Sequence, residues 1–520
     1  MSDHPKRTGA EALVSTLADN GVTACFANPG TSEMHLVTAF DQEPRIRSVL
    51  CLFEGVATGA ADGFARIAGV PAMTLLHLGP GYENGGANTH NARRAFSPMI
   101  NVIGDHATGH RRMDAPLASN ITALAAPNCR WVKSVEASSD AGRLASEAFT
   151  ASFGPAPGPV GLILPADSAW GDDGQLGAKA VPRKLRGPDE RKIAAAVDAI
   201  RSAKSPAILI NGRALHADGL PFAARLQAAG LRVVTDTFVA RQARGAGRFA
   251  PDRLQYFGEM ALAQLDGTDL LLLAGTKAPV AFFAYPDKPG RLVPEGCSVL
   301  SLGGADHDSA ALLSALADAL GATEAAPSPE LTLPGAPAGD LTPGTIGESI
   351  ARHIPDGALV ADDGVTGSLA AFLPTATARP HEWMMLTGGA IGMGMPLALG
   401  ASIAAPERKV LCLSGDGAGM YTNQALWSFA RERANVVTVV FVNHSYRILN
   451  IELFRTGAGN PGPASMNMLG LGQPEIDWVK LAEAQGVPAS LATTAEAFDK
   501  ALANAMAADG PHLIAALVPG

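Results

Sequence analysis

The chain has 520 residues, of which 47% are hydrophobic and 17% are charged, a composition that is typical of globular proteins and excludes a largely disordered one. The net charge of −9 is spread along the chain without blocks of one sign, which argues against nucleic-acid and anionic-membrane partners and favours a small-molecule substrate. The amino terminus lacks the apolar stretch of a secretory signal, and the longest apolar run, residues 436–442, is too short to span a membrane, so we expect a cytoplasmic protein.

The length of the chain predicts about three domains, and the pattern of apolar runs indicates where the first one ends. In this first part, segments of helical period alternate with short apolar runs, at residues 23–27, 48–52, 72–77, 99–103 and 159–164. Such alternation is typical of strand–helix units that build a mainly parallel, doubly wound sheet. We therefore predict a first domain over residues 1–170, which ends at a polar stretch, residues 171–189.

Two further sets of apolar runs predict two more domains of the same kind. A central domain, residues 190–321, contains runs at residues 207–210, 232–235, 270–273 and 298–302. Residues 322–342 are rich in Ala, Pro, Gly and Glu and have the composition of a linker. The third domain, residues 343–520, contains runs at residues 358–360, 409–413, 436–442 and 512–517. The predicted fold class is therefore α/β, with three doubly wound parallel-sheet domains.

The most specific motif lies in the third predicted domain, where Gly415-Asp416-Gly417-Ala418 follows the run at 409–413. Ligands of open parallel sheets bind beyond the carboxyl ends of the strands, where helix amino termini offer N–H groups to phosphate. The glycines would let the backbone approach a ligand closely, and a helix is predicted to start near Tyr421. The next strand ends at Asn443, so Asp416 and Asn443 would face one point if the two strands are neighbours.

Carboxylate and amide oxygens at one point suit Mg²⁺, which takes oxygen ligands and commonly completes its shell with phosphate and water. Asp416, Asn443 and the backbone carbonyl of Ser445 are the predicted metal ligands. Two other interpretations exist, because Gly-Asp-Gly alone is often a turn and Gly-x-Gly-x-Gly can mark a nicotinamide dinucleotide site. The dinucleotide interpretation requires an acidic residue at the end of the next strand, and this chain has Asn443 there.

This segment resembles the thiamine diphosphate motif, in which Gly-Asp-Gly is followed one strand later by Asn-Asn. Val442 stands where the first Asn is usual, and Asn443 keeps the second, which serves as the metal ligand. The resemblance extends over most of the chain and is strongest to the decarboxylase and acetolactate synthase superfamily, in particular to benzoylformate decarboxylase. It implies that the three domains are pyrimidine-binding, central and diphosphate-binding, and that Gly415, Gly417 and Ala418 contact the cofactor.

An acid in the first predicted domain matches the same superfamily. Glu54 opens the stretch Glu54-Gly-x-Ala-x-Gly-Ala-Ala-Asp62-Gly-Phe-Ala-Arg66, which resembles the segment around the catalytic glutamate. The resemblance implies that Glu54 hydrogen-bonds to the aminopyrimidine ring of the cofactor and so promotes proton loss from its reactive carbon. Without the resemblance, Glu54 could equally be an acid that favours the first turn of a helix.

Three more segments resemble parts of the benzoylformate decarboxylase site. Thr31, in Asn28-Pro-Gly-Thr-Ser-Glu33, stands where a serine contacts substrate, and His77 stands where a histidine handles protons. In Gly388-Gly-Ala-Ile-Gly392, the resemblance implies that the Gly389 carbonyl accepts a hydrogen bond from the cofactor's amino group and that Ile391 holds the cofactor bent. Taken alone, His77 would more often be an ordinary polar residue and Ile391 a core residue.

Two departures from the superfamily lie in the central domain. Residues 275–279, Gly-Thr-Lys-Ala-Pro, replace the stretch with which acetolactate synthases bind FAD, so we do not expect FAD. Leu254 stands where we align a second active-site histidine, which weakens the expectation of efficient aromatic 2-oxo acid decarboxylation. His106 and His110 lie where the family usually has a glutamine nearby, and their role stays open.

The predicted function is a thiamine-diphosphate- and Mg²⁺-dependent lyase or carboligase that acts on a 2-oxo acid, with or without an aldehyde acceptor. The family builds each site from the first domain of one chain and the third domain of another, which implies a homodimer or homotetramer. An acetolactate-synthase-like transferase without FAD and a catalytically idle paralogue are the alternatives, and a nicotinamide oxidoreductase is a weaker one. The sequence does not identify the 2-oxo acid.

Overall fold

The computed structural model describes residues 6–520, and its first sheet has six parallel strands in the order β2-β1-β3-β4-β6-β5. These strands are β1 (Ala24–Asn28), β2 (Arg47–Leu50), β3 (Ala72–Leu76), β4 (Met99–Asp105), β5 (Val132–Ser134) and β6 (Pro159–Pro165). The helices around it are α1 (Gly9–Asp19), α2 (Met34–Ala39), α3 (Glu54–Ala68), α4 (Leu78–Ala95), α5 (Ile121–Ala125), α6 (Ala141–Phe153) and α7 (Ala166–Trp170).

The second sheet is parallel, with five strands in the order β10-β8-β7-β11-β12. The strands in this part of the chain are β7 (Pro206–Ile210), β8 (Arg232–Thr235), β9 (Gln242–Arg244), β10 (Asp252–Arg253), β11 (Leu270–Ala274) and β12 (Ser298–Gly303), of which β9 joins the third sheet. The helices are α8 (Glu190–Ser202), α9 (Leu220–Ala228), α10 (Gly258–Gln264) and α11 (Ser309–Ala319).

The third sheet has seven strands in the order β17-β18-β16-β15-β13-β14-β9. Its own strands are β13 (Leu359–Asp363), β14 (His381–Met385), β15 (Val410–Gly415), β16 (Val436–Val442), β17 (Ala489–Ala492) and β18 (His512–Leu517), and β9 is antiparallel to β14. The helices are α12 (Pro343–His353), α13 (Thr366–Phe372), α14 (Gly394–Ala404), α15 (Asp416–Tyr421), α16 (Ala425–Glu432), α17 (Arg447–Arg455), α18 (Pro463–Leu469), α19 (Trp478–Ala484) and α20 (Ala495–Ala507).

The predicted fold class is confirmed, because three mainly parallel sheets follow one another along the chain. The strands that the sequence predicted each contain a run of apolar residues; all seven residues of β16 are buried, as expected in a sheet covered on both faces. The strands β5, β9, β10, β14 and β17 were missed because each carries polar residues or is very short. Residues 171–189 and 322–342 contain isolated bridges but no helix or strand.

The first and third sheets are joined by two helices whose backbones touch. A Cβ atom on Gly63 of α3 would overlap the carbonyl oxygen of Leu397 of α14, and one on Gly400 would overlap that of Ala60. Glycine at these positions therefore permits the close approach. The two helices belong to one hydrophobic cluster that includes core residues of both sheets. This contact fixes the start of α3 relative to the start of α14.

Candidate functional site

The carboxyl ends of β15 and β16 lie side by side, as the sequence predicts. The strands are parallel neighbours, with Gly415 paired with Phe441. Asp416 follows β15 and is buried, and its Oδ2 accepts hydrogen bonds from the backbone N–H groups of Asn443 (3.1 Å) and His444 (2.7 Å). The structure therefore brings Asp416 and Asn443 together across two strand ends.

The loop after β16 presents several oxygen atoms near Asp416. The Oδ1 atom of Asn443 accepts a hydrogen bond from the N–H of Ser445 at 3.0 Å, and His444 between them has a left-handed φ of 54°. Burial raises the pKa of Asp416 above its usual range, an effect that a bound cation would oppose. Across residues 6–520 no cluster of three or more His, Cys, Asp and Glu side chains could hold a metal, so a cation here needs amide, carbonyl, water or phosphate oxygens, which Mg²⁺ accepts.

A helix was predicted to start near Tyr421 and to continue through Trp427; the structure has two helices here, and the one that contains Trp427 starts four residues later than predicted. Helix α15 starts at Asp416 and ends at Tyr421, and α16 follows at Ala425. In the first turn of α15 the N–H of Gly417 donates to Asp416 Oδ1 at 2.8 Å. Gly417 and Ala418 are consequently buried in the first turn of the helix instead of lying in a loop.

A third strand end beside the first two was missed from the sequence. β13 is the neighbour of β15, and it leads through Gly364 and Val365 into α13. Val365 has a left-handed φ of 49°, a conformation that a β-branched residue rarely adopts without a surrounding structure that requires it. The sequence signal was available, since Asp362-Asp363-Gly364 ends an apolar strand in the same way as the motif at Asp416 does.

The loop at residues 388–392 is held from two sides. From α4, Asn91 Nδ2 donates to the Ala390 carbonyl at 2.8 Å. From β13, Asp363 Oδ2 accepts from the N–H groups of Gly392 (2.7 Å), Met393 (2.9 Å) and Gly394 (3.2 Å), while burial raises the pKa of Asp363 to about 7. These bonds fix the loop ahead of α14.

The two loop residues singled out from the sequence remain available to a ligand. Gly389 is exposed and has a left-handed φ of 78°, and within residues 6–520 no donor reaches its carbonyl oxygen. Ile391 is partly buried against the core that joins the first and third sheets. Both therefore have the accessibility that the predicted contacts with a cofactor require.

Glu54 is the first residue of α3 and is 6% exposed. Its Oε2 accepts a hydrogen bond from Asn84 Nδ2 of α4 at 3.0 Å, and a Cβ atom on Gly81 would lie 3.2 Å from its Oε1. The helix-opening position and the buried carboxyl group occur together, so the two interpretations of Glu54 do not exclude each other.

His77 is the N-cap residue of α4 and contacts a buried acid, Glu33, that is not among the predicted site residues. Its Nδ1 lies 2.7 Å from Oε2 of Glu33, and Ser32 Oγ donates to Glu33 Oε1 at 2.8 Å. Glu33 also accepts from the N–H of Gly30 at 2.8 Å. Thr31 is exposed, and its side chain has no hydrogen-bond partner within the described chain; Ser32 and Glu33, its neighbours, are the residues that the structure places beside His77.

Six aromatic side chains form a cluster that reaches from Gly389 to α17, and we call it the aromatic cluster. A Cβ atom on Gly389 would lie 3.4 Å from the ring of Phe282. The other members of the cluster are Phe238, Tyr256, Phe257, Phe283 and Tyr285. All members of the cluster except Phe238 line one cavity together with Glu452 and Arg455 of α17. Leu254, by contrast, is buried in the core of the second sheet.

Comparison with known proteins agrees with this geometry. Models of thiamine pyrophosphate enzyme domains match at both ends of the chain, the N-terminal TPP-binding domain at residues 7–124 and the C-terminal TPP-binding domain at residues 364–516. A Mycobacterium tuberculosis protein provisionally named acetolactate synthase large subunit IlvX is 49% identical over 514 residues, which cover 98% of this chain and 99% of that protein. The chain belongs to the thiamine pyrophosphate enzymes.

Other relatives place this thiamine pyrophosphate enzyme among the 2-oxo acid decarboxylases and acetolactate synthases. Benzoylformate decarboxylase of Pseudomonas aeruginosa is 30% identical over 538 residues, covering 98% of each chain. The thiamine diphosphate-dependent 4-hydroxybenzoylformate decarboxylase of Rhodococcus jostii has the same fold, with a TM-score of 0.83, 24% identity and 99% of each chain covered. The predicted family and the three-sheet architecture are thus confirmed.

The two matched domain models include the positions on which the site depends. The N-terminal thiamine pyrophosphate domain contains Glu54 and His77, and the C-terminal one contains Gly389, Asp416 and Asn443. Within residues 6–520 of the enzyme, no helix combines the length and the apolar character that crossing a bilayer requires.

Proposed function

We propose that this chain is a Mg²⁺-dependent lyase or carboligase that acts on a 2-oxo acid with the help of thiamine diphosphate. The observation that supports this best is the pair of oxygen-bearing side chains, Asp416 and Asn443, at adjacent strand ends in the C-terminal TPP-binding domain. Asp416, Asn443 and the Ser445 carbonyl would hold Mg²⁺, and residues 415–418 would line the diphosphate. Residues 364–366, at the neighbouring strand end, would complete that lining.

When bound, thiamine diphosphate supplies a carbon nucleophile and an electron sink for the bond next to the 2-oxo group. The chain contributes orientation and proton handling. Glu54, held by Asn84, would share a proton with the pyrimidine ring, and the Gly389 carbonyl would accept a hydrogen bond from its amino group. Ile391 would support the bent shape of the cofactor. His77, oriented by Glu33, would move protons on the substrate side, next to Thr31 and Ser32.

A screen of 2-oxo acids tests the proposal. CO₂ release should be measured from pyruvate, benzoylformate and branched 2-oxo acids, with and without an aldehyde acceptor. We expect release from at least one of them that requires both thiamine diphosphate and Mg²⁺. An acetolactate-synthase-like transferase, suggested by the name of the mycobacterial relative, would instead need a second 2-oxo acid as acceptor. A saturable rise in melting temperature with the cofactor but no turnover would indicate the idle paralogue.

We also infer that the central domain holds no FAD. In a sheet of this order, a dinucleotide would lie at the ends of β7 and β11, where the strand order reverses. The partly buried Asp236 lies at that crevice and accepts hydrogen bonds from Asn211 Nδ2 and Thr276 Oγ1, both at 2.6 Å. Only a short 3₁₀ turn, Gly212–Leu215, follows β7, so no long helix directs its amino terminus at a phosphate.

We further infer that the active unit is a homodimer or a homotetramer with active sites at the subunit interface. Helices α17 and α18, which follow the proposed metal ligands, contain no buried residue in the single chain. They expose large apolar side chains, including Phe454 (68% exposed) and Met468 (78% exposed). A second copy of the chain would cover this apolar surface. Sedimentation of the purified protein should therefore show no monomer at micromolar concentration.

Replacing Glu33 with glutamine should lower kcat about tenfold to a hundredfold with little change in KM, because the charge beside His77 is lost while the side-chain shape is kept. Steady-state kinetics with the best 2-oxo acid measures the effect. Glu43→Gln is the matched control, since Glu43 is also buried but pairs with Arg45. Equal losses in both variants would show that the effect of Glu33 is only structural.

The position of Phe282 predicts a preference for 2-oxo acids with bulky apolar side chains. Replacing Phe282 with alanine should reduce kcat/KM about tenfold for benzoylformate or a branched substrate and less than about threefold for pyruvate, because only the larger side chain would reach the ring. Trp170→Ala removes an exposed aromatic residue of the first domain and serves as control. A uniform loss for all substrates would exclude the aromatic cluster from substrate selection.

A further inference from the structure

Two asparagines of α4 are buried almost completely, at positions where a helix would ordinarily have apolar residues. Asn88 is 3% exposed and Asn91 is fully buried. Burying an amide group lowers stability unless its hydrogen bonds are made. The partners of these two side chains therefore indicate what the residues do.

The asparagines connect the loop at residues 388–392 to the start of α3. Asn91 Nδ2 donates to Ala390 O (2.8 Å) and to Asn88 Oδ1 (2.9 Å), and Ala390 N–H donates to Asn91 Oδ1 at 3.3 Å. Asn88 Nδ2 donates to the carbonyls of Gly55 (2.8 Å) and, at 3.5 Å, Gly392. Both amide groups are thus satisfied by the backbone on either side of the site and by each other.

One of these bonds determines where the Gly389 carbonyl points. The C=O of Gly389 and the N–H of Ala390 belong to the same peptide unit, which is planar and holds the two groups in opposite directions. Because the N–H points to Asn91 Oδ1, the C=O must point away from α4. The left-handed φ of Gly389 alone would leave that peptide free to rotate.

We propose that Asn91, supported by Asn88, positions the Gly389 carbonyl and thereby makes the site selective for a cofactor with an amino group on its pyrimidine ring. This inference rests on the proposed function, since it takes Gly389 as the residue that meets the pyrimidine. A carbonyl oxygen can only accept a hydrogen bond, so it favours an amino group over an oxygen substituent at the same place. A fixed carbonyl discriminates, whereas one that can rotate away does not.

Cofactor binding tests the proposal without reference to turnover. Dissociation constants of thiamine diphosphate and of oxythiamine diphosphate, in which oxygen replaces the amino group, should be measured by calorimetry in the presence of Mg²⁺. We expect the unmodified protein to prefer thiamine diphosphate by about tenfold or more, and Asn91→Leu to reduce that preference to within about threefold. Asn91→Asp keeps the acceptor for Ala390 N–H and should keep the preference even if both affinities fall.

Asn101→Leu is the matched control, because Asn101 is fully buried in the same domain but bonds to Thr74 and Cys129. It should leave the preference unchanged. An unchanged preference in Asn91→Leu, or its loss in a folded Asn91→Asp, would overturn the proposal. If the unmodified protein binds both compounds equally, the positioning role fails while the proposed function stands. If it binds neither compound, both the proposed function and the positioning role of Asn91 are refuted.

Discussion

Replacing Glu54 with glutamine should lower kcat by about a hundredfold to ten-thousandfold, whereas the Kd for thiamine diphosphate should change less than about tenfold. Glutamine fills the same buried space and can still bond to Asn84, but it cannot share a proton with a pyrimidine ring. Single-turnover kinetics together with a calorimetric Kd separates the two effects.

The control for Glu54 is Glu83→Gln, which removes an exposed carboxylate from α4 without altering the buried site. Its kcat should stay within about twofold of the unmodified value, as is usual for surface substitutions. If Glu54→Gln turned over substrate at the unmodified rate, Glu54 would have no part in the chemistry.

Replacing Asp416 with asparagine should abolish the stabilisation that Mg²⁺ and thiamine diphosphate give together. Ligand at a hundred times its Kd stabilises a protein by about 2.7 kcal/mol, and loss of a metal-ligand carboxylate would reduce that contribution to near zero. Asparagine has only one acceptor oxygen for the three N–H groups that Asp416 now binds, so the apoprotein should also unfold at a somewhat lower temperature.

Melting curves with and without the two ligands measure this change. The control, Asp477→Asn, alters a carboxylate that caps α19 and accepts from the N–H of Lys480 at 3.0 Å. Asparagine is also a good cap, so this variant should respond to the ligands like the unmodified protein. A full ligand response in Asp416→Asn would remove Asp416 from the metal site.

The fold was largely predictable because most strands of the parallel sheets contain a run of buried apolar residues. The runs at residues 232–235, 436–442 and 512–517 match strands β8, β16 and β18 without change of limits. Strand β14 was not predicted because His381 and Glu382 interrupt its hydrophobic pattern. In the folded chain Glu382 forms ion pairs with Arg241 and Arg408. Polar groups that are neutralised by distant partners cannot be recognised from local patterns.

The site was predictable where local sequence determines it and not where the tertiary fold does. Asp416 and Asn443 follow apolar strands, so their meeting depended only on the two strands being neighbours. Glu33 contacts His77, which lies 44 positions further along the chain, and Asn91 contacts Ala390, which lies 299 positions further. No local sequence pattern indicates either contact. Only the folded chain shows what these two residues contact.

The glycine contact between α3 and α14 has a consequence for how the molecule can be divided. The apolar sides of α3 and α14 cover each other. Removing the part of the chain that contains either helix would therefore expose a large apolar surface of the other to water. The two ends of the polypeptide thus form one cooperative body, although they are separated by the whole central part of the sequence. We therefore expect that, after cleavage of the backbone within residues 322–342, the two fragments remain associated through the contact between α3 and α14.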